Sequence, residues 1–189
     1  MKKCYVVFFL FFLISTSCQK KKETEVNAHS IHTEINPLRI DPTVSRIDNQ
    51  YADVDITTIA RLTKAEYDAL QLEKVKALEG YDYNDLSNGR TILSDENGKL
   101  LIVQVITDGE VAEFLLSYDK DGNLVDNLMV AYEDMVEYYR EVSSKIDTNK
   151  ITVQTVDFTY EDEDGNPVEL SDTSILKYQI TPEFKFLEN

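Results

Sequence analysis

The chain of 189 residues is predicted to fold as an α+β protein. An N-terminal strand and a short helix are expected to accompany an antiparallel β-meander of about six to eight strands. Three observations predict this class: a helix-start signal at Thr63, apolar/polar alternation after Asn88, and turn sequences rich in Asp, Asn and Gly between the alternating segments. The pattern fits an open sheet, a sandwich or a barrel equally well.

The helix is predicted from a capping box. Thr63 is followed three residues later by Glu66, so the hydroxyl can accept from an early helix N–H while the carboxylate reaches back to the cap. A helix is therefore expected to start at Lys64 and to end by Gly80. Its inward face is predicted to carry Tyr67, Leu70, Val75 and Leu78.

The strands are predicted from period-two alternation. Residues 100–107 are apolar on both faces, which indicates a central strand. Hairpin turns are expected at 95–98, 119–123 and 162–166, where glycine can supply a positive φ and Asp can accept from the local backbone. The remaining strands are predicted at 54–62, 110–118, 124–132, 138–146, 151–160, 168–180 (in one or two pieces) and 184–187.

The first residues have the order of an export signal. Lys2 and Lys3 precede ten uncharged residues at 5–14, about half of the roughly 20 that a spanning helix needs. Residues 15–18, Ser-Thr-Ser-Cys, resemble the lipobox of bacterial lipoproteins in the style of Bacteroidota-type envelope proteins, with Ser15 where Leu is usual. The resemblance implies cleavage before Cys18, a diacylglyceryl group on its thiol, and a protein anchored to a membrane of the cell envelope, facing the periplasm or the surface. The alternative is an ordinary secretory signal with an incidental thiol.

The predicted organisation has three parts: a signal peptide at 1–17, lipidated Cys18 with a flexible tether at 18–49, and a single globular domain at 50–189. The tether is predicted from its polar composition and from Pro37 and Pro42. Besides Cys18 the chain has only Cys4, which lies in the signal peptide, so the mature protein can form no internal disulfide.

Charge limits the partners. Without the two lysines of the signal peptide, the chain has 17 basic and 35 acidic residues and a formal charge of −18. Nucleic acid is excluded, because phosphate contacts need a basic patch. The acidic surface is explained by solubility or by a cationic ligand. The oligomeric state is left open.

Metal and catalytic signals are sparse. The three turns do not fit a calcium-binding EF-hand loop. The turn at Glu161, Asp162 and Asp164 is interpreted as a solvated hairpin tip, with a looser calcium site as the alternative. His29 and His32 form a His-x-x-His pair in the tether. The predicted domain contains no histidine or cysteine, and no carboxylate pair is distinguished by its spacing, so no enzyme activity and no cofactor are expected. A carboxylate-dependent enzyme is the weaker alternative.

A non-catalytic binding or interaction module is the function that remains. Its partner is expected to be an envelope protein, a glycan or an apolar small molecule, the last as the cargo of a carrier with a curved sheet or barrel. Tyrosine offers an apolar ring with a polar tip and is favoured at interfaces, although the same rings also serve as core and cross-strand partners. The candidate contacts are Tyr118, Tyr132, Tyr138, Tyr139, Tyr160 and Tyr178.

Overall fold

The structure, a computed structural model, describes residues 46–47, 55–134, 136–162 and 164–189. Its main element is an antiparallel sheet of nine strands, eight of which follow one another in chain order across the sheet. The predicted α+β meander is therefore confirmed in outline, as an open sheet with little helix. The strands are β1 (Arg46–Ile47), β2 (Leu86–Ser94), β3 (Gly98–Ile106), β4 (Glu110–Asp119), β5 (Leu124–Asp134), β6 (Arg140–Asp147), β7 (Lys150–Glu161), β8 (Pro167–Ile180) and β9 (Phe186–Glu188).

The helix begins where the capping box predicts it but is much shorter. α1 spans Lys64–Ala69, the Thr63 hydroxyl accepts from the N–H of Glu66, and the Glu66 carboxylate accepts from the N–H of Thr63 at 2.8 Å. The predicted continuation to Gly80 is wrong, because Gln71 adopts a left-handed φ of 55° that ends the helix. The chain continues in 3₁₀ turns at Leu72–Lys74 and Lys76–Leu78, which bury Leu72, Val75 and Leu78.

The strand predicted at 54–62 is wrong within the described residues. Ile56–Thr58 forms a 3₁₀ helix, and the carboxylate of Asp55 accepts from the N–H of Thr57 at 3.1 Å. An acidic cap of this kind stabilises a helical turn rather than an extended chain. The N-terminal strand that the structure shows is β1, which lies within the segment predicted as the tether.

The sheet divides at the junction of β5 and β6. β3 and β4 pair along nine residue positions, whereas β5 and β6 pair only at Tyr132↔Val142 and Glu133↔Glu141. Beyond these two pairs the edge of β6 is taken by β1, with Ile47 opposite Ser144. The sheet can therefore bend here, and strands from its two halves contribute to one core.

Two clusters of buried side chains form that core. The first draws on every strand from β1 to β8 and on Phe184. The sheet is curved, because the N–H of Phe186 at the start of β9 donates to the carboxylate of Asp126 on β5 at 2.8 Å. The second lies between the helical segment and β2–β5. β3 and β4 are thus covered on both faces, as the apolar pattern at 100–107 predicts. The largest fully buried side chains are Ile47, Leu72, Leu78, Leu86, Leu100, Ile102, Ile106, Leu115, Leu116, Ile146, Ile151 and Ile180, each contributing about 1.5–3 kcal/mol.

The three predicted turns are confirmed. Asp95 accepts from the N–H groups of Asn97 and Gly98 at 2.8 and 3.2 Å. The turns at 119–123 and 162–166 have the same hydrogen bonds as each other: the leading Asp accepts from the N–H of the residue two positions on and from that of the final Asn. The second of these turns caps the β7–β8 hairpin, which extends past the core. Between residues 154 and 179 the described side chains are exposed or only partly buried.

Candidate binding surface

The six candidate tyrosines separate into core and surface positions. Tyr118 is only 4% exposed and belongs to the second core cluster, where its hydroxyl donates to the carbonyl of Leu70 at 2.8 Å. Burial raises the pKa of its phenol and removes it as a surface contact. Tyr132 and Tyr178 are half-buried against the core. The three exposed members, at 56%, 49% and 36%, are Tyr138, Tyr139 and Tyr160.

The loop between β5 and β6 sets the direction of two of these rings. The carboxylate of Asp134 accepts from the N–H groups of Val136 and Glu137, each at 3.0 Å. The hydrogen bonds from Glu137 and then from Val136 lower the pKa of Asp134. Tyr138 then adopts a φ of 56°, a left-handed conformation uncommon for a residue with a side chain. Because this residue breaks the alternation ahead of β6, Tyr138 and Tyr139 are both left exposed.

Strand β7 contributes two more aromatic side chains near Tyr138 and Tyr139. Phe158 and Tyr160 lie two residues apart on one face, and their rings stack at 6.4 Å with an interplanar angle of 11°. The ring of Tyr160 also lies 5.8 Å from that of Tyr139, and its hydroxyl donates to the carbonyl of Tyr138 at 3.2 Å. We call Tyr138, Tyr139, Phe158 and Tyr160 the aromatic cluster.

Carboxylates surround the aromatic cluster. Glu133 and Glu141 lie directly opposite each other in the β5–β6 register. Burial and then the charge of Glu141 raise the pKa of Glu133. Arg140 is ion-paired to Asp157 at 2.6 Å, so its charge is already balanced. An open cleft of about 350 Å³ is lined by Glu133, Asp134, Tyr138, Arg140, Glu141, Phe158 and Tyr160.

The aromatic cluster and the carboxylates beside it offer two kinds of contact to a ligand. Aromatic faces attract apolar, sugar or cationic groups, and the carboxylates accept hydrogen bonds from hydroxyl, ammonium or guanidinium groups. The tyrosines were predicted individually, whereas Phe158, Glu133 and Glu141 were not predicted as site residues. Phe158 could have been found, because it stands two residues before Tyr160 in a predicted strand.

The weak calcium candidates form a hairpin tip. Asp162 accepts from the N–H groups of Asp164 and Asn166, at 3.0 and 2.8 Å, and from the side-chain amide of Asn166. The side-chain bond from Asn166, and then its backbone bond, lower the pKa of Asp162. Glu161 ends β7 and is exposed. Among the residues that the structure describes, no three His, Cys, Asp or Glu side chains are grouped to hold a metal. The predicted lipidation site Cys18 and the pair His29 and His32 lie outside the described residues.

Comparison with known protein families, with curated proteins and with solved structures finds no match for this chain. Within the described ranges, no helix has both the length and the apolar character needed to cross a membrane. Function must therefore be inferred from the surface itself.

Proposed function

We propose that this protein is a non-catalytic binding module of the bacterial cell envelope, anchored through a lipid on Cys18, which docks its partner on the aromatic cluster. The observation that carries the proposal is the grouping of Tyr138, Tyr139 and Tyr160 on the surface beside an acidic cleft. Their partner is an envelope protein or a glycan.

The cluster has an arrangement that packing alone does not explain. Rings exposed by 36–56% keep apolar area in contact with water, and a grouped set of this kind is typical of an interaction site. The left-handed backbone of Tyr138 costs about 1 kcal/mol or more, and such residues are concentrated at functional sites. Opposed carboxylates at Glu133 and Glu141 add a further unfavourable contact. A bound partner would cover the rings and balance the charge.

A binder is favoured over a carrier of an apolar small molecule. Both core clusters are filled by side chains, and the cleft at Glu133 is open and partly acidic rather than an enclosed apolar cavity. A non-catalytic role is supported by the composition of the segment 50–189, which has no histidine or cysteine to act as base or nucleophile.

Anchoring is tested in cells with a clickable palmitate. The wild-type chain should incorporate the label and stay with the membrane fraction, whereas Cys18→Ser should lose the label. An unlabelled wild-type chain, or equal labelling of Cys18→Ser, would refute the anchor and leave the binding surface to be judged separately.

Docking is tested by pull-down from solubilised envelope with the double variant Tyr139→Ser, Tyr160→Ser. The matched control is Leu187→Ser, which removes a side chain that is 54% exposed on β9, outside the cluster. The double variant should lose a partner that the wild type and the control both retain, with melting temperatures compared to confirm folding. Retention of every partner by the double variant would refute the cluster as the docking site.

A further inference from the structure

Strand β8 presents a long edge to solvent. Its fourteen residues pair with β7 on one side, but β9 pairs with it on the other side only at Tyr178, Gln179 and Ile180. No described residue pairs with the outer edge of 167–176. Leu170, Ile175 and Leu176 are 62%, 57% and 43% exposed, so both faces are also open. Long, uncovered edges with apolar side chains are places where another strand can add.

The direction of the free backbone groups follows from two hydrogen bonds. The N–H of Ile180 donates to the carbonyl of Asn149 at the start of β7, and the carbonyl of Lys177 accepts from the N–H of Asn189 beyond β9. In an antiparallel strand both backbone groups of one residue point to the same side, and the side alternates along the chain. The register with β7 is regular from Leu170 to Gln179. The residues that present free N–H and C=O groups are therefore Ser171, Thr173 and Ile175.

A row of charges crosses the sheet at this edge. Arg140 on β6 lies opposite Asp157 on β7, and Asp157 lies opposite Asp172 on β8. From β6 to β8 the charges are therefore positive, negative and negative. Arg140 is bonded to Asp157, which leaves Asp172 as the outermost charge. A basic side chain on an added strand would lie opposite Asp172 in a pair without backbone bonds, where side chains approach most closely. On the same face, Leu170 and Leu176 would meet apolar residues of that strand.

From this geometry we infer that β8 binds an extended segment of a partner protein as an additional antiparallel strand. The segment carries Lys or Arg opposite Asp172 and apolar residues opposite Leu170 and Leu176. A second copy of this chain is the weaker fit. Two-fold pairing that uses all three free residues centres on Thr173 and places Ser174 opposite Asp172, so the charge of Asp172 stays unbalanced. Centring on Asp172 would oppose two aspartates, and the formal charge of the whole chain is −16.

The test uses the full chain and a dye-labelled, acetylated and amidated peptide, Val-Val-Thr-Thr-Lys-Thr-Val, which places Lys opposite Asp172. Fluorescence anisotropy should show saturable binding of the peptide with a Kd below about 1 mM. Hydrogen exchange should slow at Ser171, Thr173 and Ile175 when the peptide is added. A peptide with Glu in place of Lys is the charge control.

Two variants separate charge from backbone pairing. Asp172→Lys should weaken binding of the Lys peptide by about threefold to tenfold and should strengthen binding of the Glu peptide. Asp164→Lys makes the same charge change at the hairpin tip and should have little effect on the affinity of either peptide. The N–H of Thr173 points away from β7 and makes no bond to it. Thr173→Pro removes this N–H and should abolish peptide binding. The inference is refuted if the Lys peptide does not bind, if Asp164→Lys and Asp172→Lys act alike, or if binding is replaced by self-association through β8, measured by sedimentation. If Thr173→Pro unfolds the chain, the comparison of Asp172→Lys with Asp164→Lys still tests the inference.

Discussion

Replacing Glu133 by Gln should stabilise the protein at neutral pH. Glu133 and Glu141 are direct cross-strand partners, and like charges in such a position cost about 0.2–1 kcal/mol. Both side chains reach solvent, so screening keeps the cost in the lower half of this range, about 0.5 kcal/mol. Glutamine has nearly the shape of glutamic acid but no charge, and removing the repulsion should raise the melting temperature by about 1–2 °C.

The gain should depend on pH in a defined direction. Burial and Glu141 raise the folded-state pKa of Glu133, so the folded chain binds this proton more tightly than the unfolded chain. The stability that the proton supplies is fully present below the ordinary pKa of glutamate and is lost as pH rises through the raised folded-state pKa. The advantage of Glu133→Gln should therefore be near zero at about pH 3.5 and reach its plateau at neutral pH.

Urea unfolding of the wild type, Glu133→Gln and Glu183→Gln across this pH range measures the effect. Glu183 is exposed in the turn after β8, so Glu183→Gln makes the same change in net charge outside the opposed pair. The slope of the free energy of unfolding against urea should be unchanged, because the exposed surface is the same. Equal stability changes in both variants, or a gain for Glu133→Gln that persists at low pH, would show that the carboxylates do not repel each other.

Two further predictions concern backbone and turn. Gly98→Ala should destabilise the fold by about 1–3 kcal/mol, because the new Cβ would lie 2.4 Å from the carbonyl oxygen of Tyr118. The control Gly109→Ala makes only an ordinary contact at 3.6 Å, and its free energy of unfolding should be nearly unchanged in the same urea assay. Asp119→Ala should destabilise the β4–β5 hairpin at pH 7: the bonds from the side chain and then the backbone of Asn123 lower the pKa of Asp119, so its contribution is present above the ordinary aspartate pKa and is lost as pH falls. The gap between Asp119→Ala and the wild type should narrow on acidification, and a constant gap would refute this origin.

The meander is predictable where side chains alternate and turns are marked by Asp and Gly, as from β3 to β8. Strand β2 is harder to predict because its register against β3 shifts between Asn88 and Thr91 and again before Leu93, so the period of two is interrupted. The helix start was predictable from Thr63, a local hydrogen-bond signal. Its early end depends on the left-handed backbone of Gln71, a residue type that rarely marks such a position.

The binding surface depended on information that composition does not contain. Tyr138 and Tyr139 could be named from the sequence, but alternation would place them on opposite faces of a strand. The structure leaves both exposed because Tyr138 lies outside β6 with a positive φ. The contact with Tyr160 and the opposition of Glu133 to Glu141 depend on strand register, which tertiary packing sets.

The turns at 119–123 and 162–166 have the same hydrogen bonds at their described residues but lie in two different surroundings. One joins β4 to β5 next to the core, and the other closes the exposed end of the β7–β8 hairpin. Amide exchange at Asp119 and at Asp162, each of whose N–H groups donates to the carbonyl of the final Asn at 3.0 Å, therefore compares identical hydrogen bonds with and without packed neighbours. The difference between the opening free energies of these two amides would measure, within one molecule, how much packing against the core stabilises a turn.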